Sequence, residues 1–221
     1  MQRLDEATAR DESSESVLRT IGKAVLSLIQ YRRRLVWEID LTKEQPLSQW
    51  ESGQSVIVLG PENMKRDMTA ELRQFLGGDA ATAELDGVAG GDRLFVVASQ
   101  TEYLAYSYIF FATRKASRRQ ASILGETGNT PIIGQSFTAR EARGRGIYRR
   151  VLNDMFKYLR SMDYERAVCE VDPLNRPSIR ASRAAGMRMC RELDDWRILS
   201  RILVQRVQES GRTRWRLCWI P

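Results

Sequence analysis

Two glycines alternate with arginines near the middle of this 221-residue chain, in Arg143-Gly144-Arg145-Gly146, and Ile147-Tyr148-Arg149-Arg150 follows at once. The apolar run Thr130–Thr138 precedes them, and apolar residues three and four apart follow from Ile147 to Leu159. This order predicts a strand, a glycine turn and a helix. Glycine lets the backbone turn and approach a ligand with no Cβ in the way. The first N–H groups of a helix lack intrahelical partners, and the helix dipole adds positive charge there. Arg143, Arg145, Arg149 and Arg150 surround that terminus with full charges. Together these parts make a cradle for a pyrophosphate. The spacing is not the Gly-x-x-x-x-Gly-Lys-Ser/Thr of a P-loop. Arg149 stands where Gly-x-Gly-x-x-Gly would need its last glycine. An ordinary strand–helix turn with no ligand is the alternative.

Acid–base chemistry must come from elsewhere, because the chain has no histidine. Ser-His-Asp, Cys-His and His-based metal sites are thereby excluded. Cys169, Cys190 and Cys218 are too widely spaced to suggest a structural zinc, so no metal is expected. Three carboxylates are candidates. Glu170 lies on the predicted strand Ala167–Val171, where alternation either aims it into a cleft or leaves it ion-paired. Glu126 is placed in a loop before Thr130–Thr138. Asp172 opens an Asp-Pro turn, more often a structural Asx motif. The basic run Arg114-Lys115, Arg118-Arg119 either meets a phosphate or an acidic acceptor, or is a solvated loop.

These residues need a scaffold, and the rest of the chain predicts one. Residues 1–16 read as a polar tail. Val17, Leu18, Ile21, Val25, Leu28 and Ile29 have the spacing of an amphipathic helix ending at Arg32-Arg33-Arg34. That helix docks on the protein or a partner, or lies on a membrane surface. Leu35–Asp40 and Ser55–Leu59 read as strands, and Met64 to Leu76 as a helix stopped by Gly77-Gly78. Arg93–Ser99 and Tyr103–Phe111 form a hairpin whose tyrosines, Tyr103, Tyr106 and Tyr108, serve packing first and a ligand surface second. Asp172–Asn175 is a turn, and Arg176-Pro177 starts a helix reaching Ala185, with Gly186 just past its end. Trp196–Val207 and Thr213–Ile220 read as further strands. No apolar run approaches the length of a membrane span. An odd cysteine count and an acid-bearing N-terminus place the chain in the cytoplasm as an expectation. Its net charge is +7, and residues 111–160 alone hold 11 Lys/Arg against 3 Asp/Glu, which favours an anionic partner.

A second segment, Asn175-Arg-Pro-Ser-Ile-Arg-Ala-Ser-Arg-Ala-Ala-Gly-Met187, follows the strand Ala167–Val171. With Arg143–Tyr148 it resembles the GNAT family of N-acetyltransferases. Their acyl-CoA motif is Arg/Gln-x-x-Gly-x-Gly/Ala at a strand–helix junction, followed by a strand, an Asn, a short helix and Ala-Gly-Phe. The resemblance covers about residues 93–221. It implies an α/β (α+β) fold: a mixed central β-sheet flanked by helices, with splayed parallel strands at Thr130–Thr138 and Ala167–Val171. An N-terminal helical extension would occupy residues 1–34, and residues 35–221 would form a single acyl-CoA-dependent N-acyltransferase domain.

The resemblance also implies roles. The backbone around Ser136, Phe137 and Thr138 would pair with the pantetheine arm. Arg143, Gly144, Arg145, Gly146, Ile147, Tyr148 and Arg149 would hold the pyrophosphate, and Asn175 and Ser178 would lie on the pantetheine side. Acetyl-CoA, or another acyl-CoA, is the implied co-substrate, and a primary amine on a small molecule the implied acceptor. Glu170 is the candidate base, and Ser182 stands where many relatives place the tyrosine that protonates the thiolate. Three departures stand out. Tyr148 replaces the last Gly/Ala of the motif, so its ring is expected to turn from the phosphates. Ser182 is a shorter and poorer acid than tyrosine, and Arg140-Glu141 replaces a usual Pro-Glu. A non-catalytic acyl-CoA-binding module is the second reading and a basic nucleic-acid-binding protein the third. No nucleic-acid partner and no membrane span are expected, and a homodimer is left open.

Overall fold

Alternation of buried residues along the strands organises this molecule. A computed structural model describes residues 29–44, 48–111, 124, 126, 129–198 and 202–219. The strands are β1 (Ile29–Asp40), β2 (Ser55–Leu59), β3 (Arg93–Ala98), β4 (Tyr103–Phe110), β5 (Ile132–Thr138), β6 (Arg166–Val171), β7 (Arg188–Ile198), β8 (Ile202–Glu209) and β9 (Arg212–Trp219). The helices are α1 (Met64–Asp67), α2 (Ala70–Phe75), α3 (Thr82–Ala89), α4 (Ile147–Ser161) and α5 (Arg176–Ala184). They fall into two compact units, one of Arg34–Arg191 and one whose described residues are 29–33, 192–198 and 202–219.

The unit Arg34–Arg191 is a mixed α/β layer structure. Its strands run in the order β2-β3-β4-β5-β6-β1-β7. Antiparallel ladders join β2 to β3, β3 to β4, β4 to β5 and β6 to β1, whereas β5 and β6 are parallel. On one face, Leu35, Trp37 and Ile39 of β1, Phe95 and Val97 of β3, and Ala167, Cys169 and Val171 of β6 share a core with α4. That helix contributes Ile147, Val151, Leu152, Met155, Phe156 and Leu159, all buried. They recur every three or four positions, with Val151-Leu152 and Met155-Phe156 as adjacent pairs, which keeps them on one side of the helix. Phe156 is fully enclosed, and its truncation to Ala would cost about 3–5 kcal/mol. Leu94 and Val96 alternate with Phe95 and Val97 and so leave β3 on the other face. Leu72 of α2 and Leu85 and Val88 of α3 are also buried.

In the smaller unit the order is β1-β7-β8-β9. β8 and β9 pair along their whole length, from Ile202↔Trp219 to Glu209↔Arg212. Asp194 is buried there and accepts from the Tyr31 hydroxyl and from Arg206 Nε, at 2.5 and 2.9 Å. Burial alone would raise its pKa, but these hydrogen bonds and the charges of Arg206 and Arg33 bring it below the ordinary value.

The structure departs from the sequence expectations at several points. Residues 17–28 of the expected helix lie outside the described residues, but Arg32, Arg33 and Arg34 belong to strand β1 rather than to a helix end. The single helix expected over 64–76 is broken at Met68, where Thr69 Oγ1 caps α2 by accepting from the Leu72 N–H. Helix α3 was not expected. Strand β7 starts at Arg188, well before the expected Trp196. Charges hid it: Arg188 pairs with Glu38, Arg191 with Glu126, Glu192 with Arg33 and Asp194 with Arg206. This charged run is thus an ion-paired strand.

Candidate functional site

The parallel pair β5–β6 separates after two residues. Ile132 pairs with Val168 and Ile133 with Cys169, and beyond them β5 pairs with β4 alone. A bulge drives the divergence. Tyr106 faces Phe137 and Tyr108 faces Gly134, so Gln135 and Ser136 together oppose the single residue Ser107. Gln135 takes φ +52°, a conformation uncommon without glycine. Two residues against one bends β5 and re-aims its side chains. Ser136 Oγ thereby meets the buried Ser107 Oγ at 2.7 Å. The splayed parallel strands expected for Thr130–Thr138 and Ala167–Val171 are therefore present.

A short 3₁₀ turn, Arg140–Ala142, carries the chain from β5 to Arg143-Gly-Arg-Gly146. Gly146 is the N-cap of α4 with φ +71°, and no side chain caps that end. A Cβ added at Gly144 or Gly146 would meet no atom within 4 Å. The helix start therefore faces open space, the condition a phosphate approaching the N–H groups requires. The arginines are not all free to face it. Arg145 donates to Glu51 at 2.5 Å, and this bond, with the charges of Arg145 and Arg150, holds the Glu51 carboxyl below its ordinary pKa. Arg150 reaches Glu51 at 3.5 Å and lies 5.1 Å over the Trp50 ring. It serves the loop before β2, a correction to the expectation of four arginines around one phosphate. Arg143 donates through Nε to the Thr138 carbonyl at 3.1 Å, and Arg149 is exposed.

Helix α5 closes the other side. Pro177 lies in the first turn, as the sequence led one to expect, and Asn175 Oδ1 accepts from the Ser178 N–H at 3.1 Å, a cap the sequence reading did not assign. Capping occupies one side of the Asn175 amide and fixes its orientation. The Tyr148 phenol reaches Ser136 Oγ at 3.5 Å, and Ser178 acts with Ser136 to lower its pKa. Its ring thus turns inward, away from the helix start, and spans from β5 to the first turn of α5. Burial raises the phenol's pKa, and the two serines only partly offset this, so the hydroxyl stays protonated. Ser182 is fully buried and its hydroxyl lies 4.0 Å from Cys169 Sγ. Burial pushes the Cys169 thiol up to about 12.

The carboxylates resolve differently. Glu170 accepts from the buried Arg34 Nη1 at 3.1 Å, the ion-paired alternative for this residue. Glu126 is buried between Arg166, at 2.5 Å, and Arg191. It is a structural anion. Asp172 Oδ1 accepts from the Leu174 N–H at 2.7 Å, an Asx turn. Arg114, Lys115, Arg118 and Arg119 lie outside the described residues. The sequence reading missed Glu51, Ser107, Glu84 and the bulge at Gln135. Only the dense tyrosines of β4 hinted that its neighbours matter. Among the described residues no group of Cys, Asp and Glu could hold a metal ion, and no helix is long and apolar enough to cross a membrane.

No curated protein matches the chain. A crystal structure of a Drosophila protein aligns with a TM-score of 0.53 at 14% identity, covering 81% of this chain and 56% of that one. A tandem GNAT protein from the clavulanic acid biosynthesis pathway aligns at 0.51 and 15% identity, covering 84% and 55%. These likenesses establish the fold, and the chain spans just over half the length of either structure. Residues 71–187 match the family model described as the Acetyltransferase (GNAT) family. That match takes in the bulged strand, the glycine turn and the Asn-capped helix and covers more than half of the chain, which therefore belongs to this family.

Proposed function

We propose that the chain is an N-acyltransferase that takes an acyl group, of which acetyl is the simplest, from acyl-CoA and places it on a primary amine of a small molecule. The observation that carries this reading is the start of α4, a glycine N-cap with open space over its Cα beside a parallel strand pair that has separated. The residues present suit the ligand. The N–H groups after Gly146 would meet the pyrophosphate, and Arg143 and Arg149 would add charge. Arg145 would join them on exchanging Glu51 for phosphate. Peptide groups of β5 from Ser136 to Thr138, and the Asn175 amide, would line the pantetheine arm. Bound acyl-CoA supplies a thioester, an acyl carbon already activated for attack.

The chain's own part is to orient and to handle protons. A neutral amine forms the new C–N bond as the C–S bond breaks. One proton leaves nitrogen and one reaches sulfur. A β5 peptide N–H aimed at the carbonyl oxygen would stabilise the charge gathering there. Ser182 is enclosed on Cys169 and poorly placed to give the proton to sulfur. The Tyr148 hydroxyl, 3.5 Å from Ser136 Oγ of β5, would be the donor in its place. Glu170, bound to Arg34, remains a candidate base, and solvent is the alternative acceptor of the amine proton.

The buried Ser182 favours one second reading, an acyl-CoA-binding module without turnover. Calorimetry with acetyl-CoA tests the shared site, and thiol release across a panel of amines separates the two. Absent binding would defeat both, and tight binding with no release would leave the module.

A further inference from the structure

Side chains alternate along β4, so Tyr106 and Tyr108 leave the sheet on the face opposite Ser107. Ser107 points to Ser136 Oγ, toward the Tyr148 hydroxyl. On the tyrosines' face Phe75, Tyr103, Tyr106 and Phe137 gather, with the buried Tyr108 5.9 Å from Tyr106. Phe75 of α2 lies 5.6 Å from Tyr103, 5.8 Å from Tyr106 and 5.8 Å from Phe137. Tyr106 and Phe137 stack at 5.5 Å and 28°. The cluster is not closed over: Phe137 is 40% exposed, and Phe75, Tyr103 and Tyr106 are half-buried. Beside it stands a carboxylate. Glu84 of α3 accepts from Gln135 Nε2 at 3.2 Å, and Gln135 is the positive-φ residue of the bulge. Burial, then the Glu84 charge, raises the pKa of the Tyr106 phenol, so this anion acts within the ring cluster. Among the described residues no Lys or Arg forms an ion pair with Glu84. A half-buried anion beside open aromatic faces, with no cation of its own, suits a ligand that brings both a ring and a positive charge.

We propose that this face receives the acceptor, and that the acceptor is a primary amine carried on a planar aromatic body, the ring lying among Phe75, Tyr106 and Phe137 and the ammonium near Glu84. The inference rests on the acyl-transfer reading and gives it a substrate class. The bulge that puts Ser136 on one side of the separated strands puts Gln135 and Phe137 on the other, so an amine here would approach the thioester from across the sheet. The ammonium gives one proton to solvent on becoming neutral. Its lone pair then forms the C–N bond as the C–S bond breaks, and the second proton leaves nitrogen as sulfur gains one.

Calorimetry on the full chain with saturating CoA tests this without turnover. The probes are 2-phenylethylamine, 2-cyclohexylethylamine with a saturated ring, and 2-phenylethanol with no charge. Phenylethylamine should bind about tenfold or more tightly than phenylethanol, and about two- to tenfold more tightly than the cyclohexyl amine. Glu84→Gln should bring it down to the level of phenylethanol. Phe75→Leu, checked for folding by near-ultraviolet circular dichroism, should erase the advantage over the cyclohexyl amine. Neither variant should alter CoA affinity. Equal binding of the three probes, or a Glu84→Gln protein that keeps its preference for the amine, would overturn the proposal. The titrations are repeated without CoA. Failure to bind CoA therefore counts against the acyl-transfer reading alone, and a flat amine panel with CoA bound against this inference alone.

Discussion

Replacing Gly146 by Val separates the backbone's role from the fold's. At φ +71° a residue with a Cβ costs about 1–2 kcal/mol in a left-handed conformation. In a chain of this length that lowers the melting temperature by roughly 2–8 °C, without unfolding the protein at room temperature. Nothing in the protein lies within 4 Å of the added Cβ, so no internal clash adds to this. The branched side chain would instead stand in the space a phosphate oxygen must enter to reach the first N–H groups of α4. Each charge-assisted hydrogen bond lost is worth about 1.5–3 kcal/mol, so acetyl-CoA should weaken by roughly tenfold to a hundredfold for one contact. Pantetheine, which lacks the phosphates, should bind the variant and the parent alike. Gly78→Val is the control. Its φ of +61° carries the same backbone strain and its Cβ also meets open space, but it lies between α2 and α3, away from the turn. Calorimetry with both ligands, beside thermal unfolding, reads the two effects separately. A folded Gly146→Val protein with unchanged acetyl-CoA affinity would refute the cradle, as would an equal loss in Gly78→Val.

Four further outcomes follow from the contacts. Replacing Arg143 and Arg145 together by Gln should weaken CoA more than pantetheine in the same titration; equal losses would place the arginines elsewhere. Glu51→Gln should free Arg145 from its internal anion and tighten CoA by a few-fold at low salt, and weaker binding would contradict the competition. Glu170→Gln should reduce stability by about 1–3 kcal/mol in urea unfolding, because the buried Arg34 loses a charged partner. Turnover falling roughly 10²–10⁴-fold with stability intact would instead make Glu170 the base. Cys169 should resist alkylation in the folded protein at neutral pH, and its raised pKa has a consequence in alkali. The unfolded thiol ionises from about pH 9 while the folded one holds its proton to about 12, so stability is lost as pH rises through that window. Between pH 8 and roughly pH 10.5 the decline in unfolding free energy should be shallower in Cys169→Ala, and an unchanged slope would reject this.

Local chemistry was legible in the sequence. The apolar spacing of Ile147 to Leu159 defines one helix face whatever it packs on, and Pro177 marks the first turn of another helix. The glycine turn, the hairpin of β3 and β4 and the Asx turn at Asp172 depend on neighbours within a few positions. These were enough to suggest a phosphate cradle and, with the second motif, the family. What the sequence hid depends on partners far along the chain. Glu170 meets Arg34 across 136 positions, and Glu126 meets Arg166 and Arg191 across 40 and 65. A carboxylate is the same letter whether it is a base, a surface charge or a buried counter-ion. Only the strand order decides, by setting which cation lies opposite. The same holds for β7 and for Arg33 and Arg34, whose charges read as a helix end until the strand order sets Arg33, still exposed, on Glu192 and the buried Arg34 on Glu170. The bulge at Gln135 is the furthest from legibility, since no glycine marks its positive φ. It exists because β4 and β5 must keep pairing on both sides of Ser107. That register sorts the hydroxyls to one face of the sheet and the aromatic rings with Glu84 to the other.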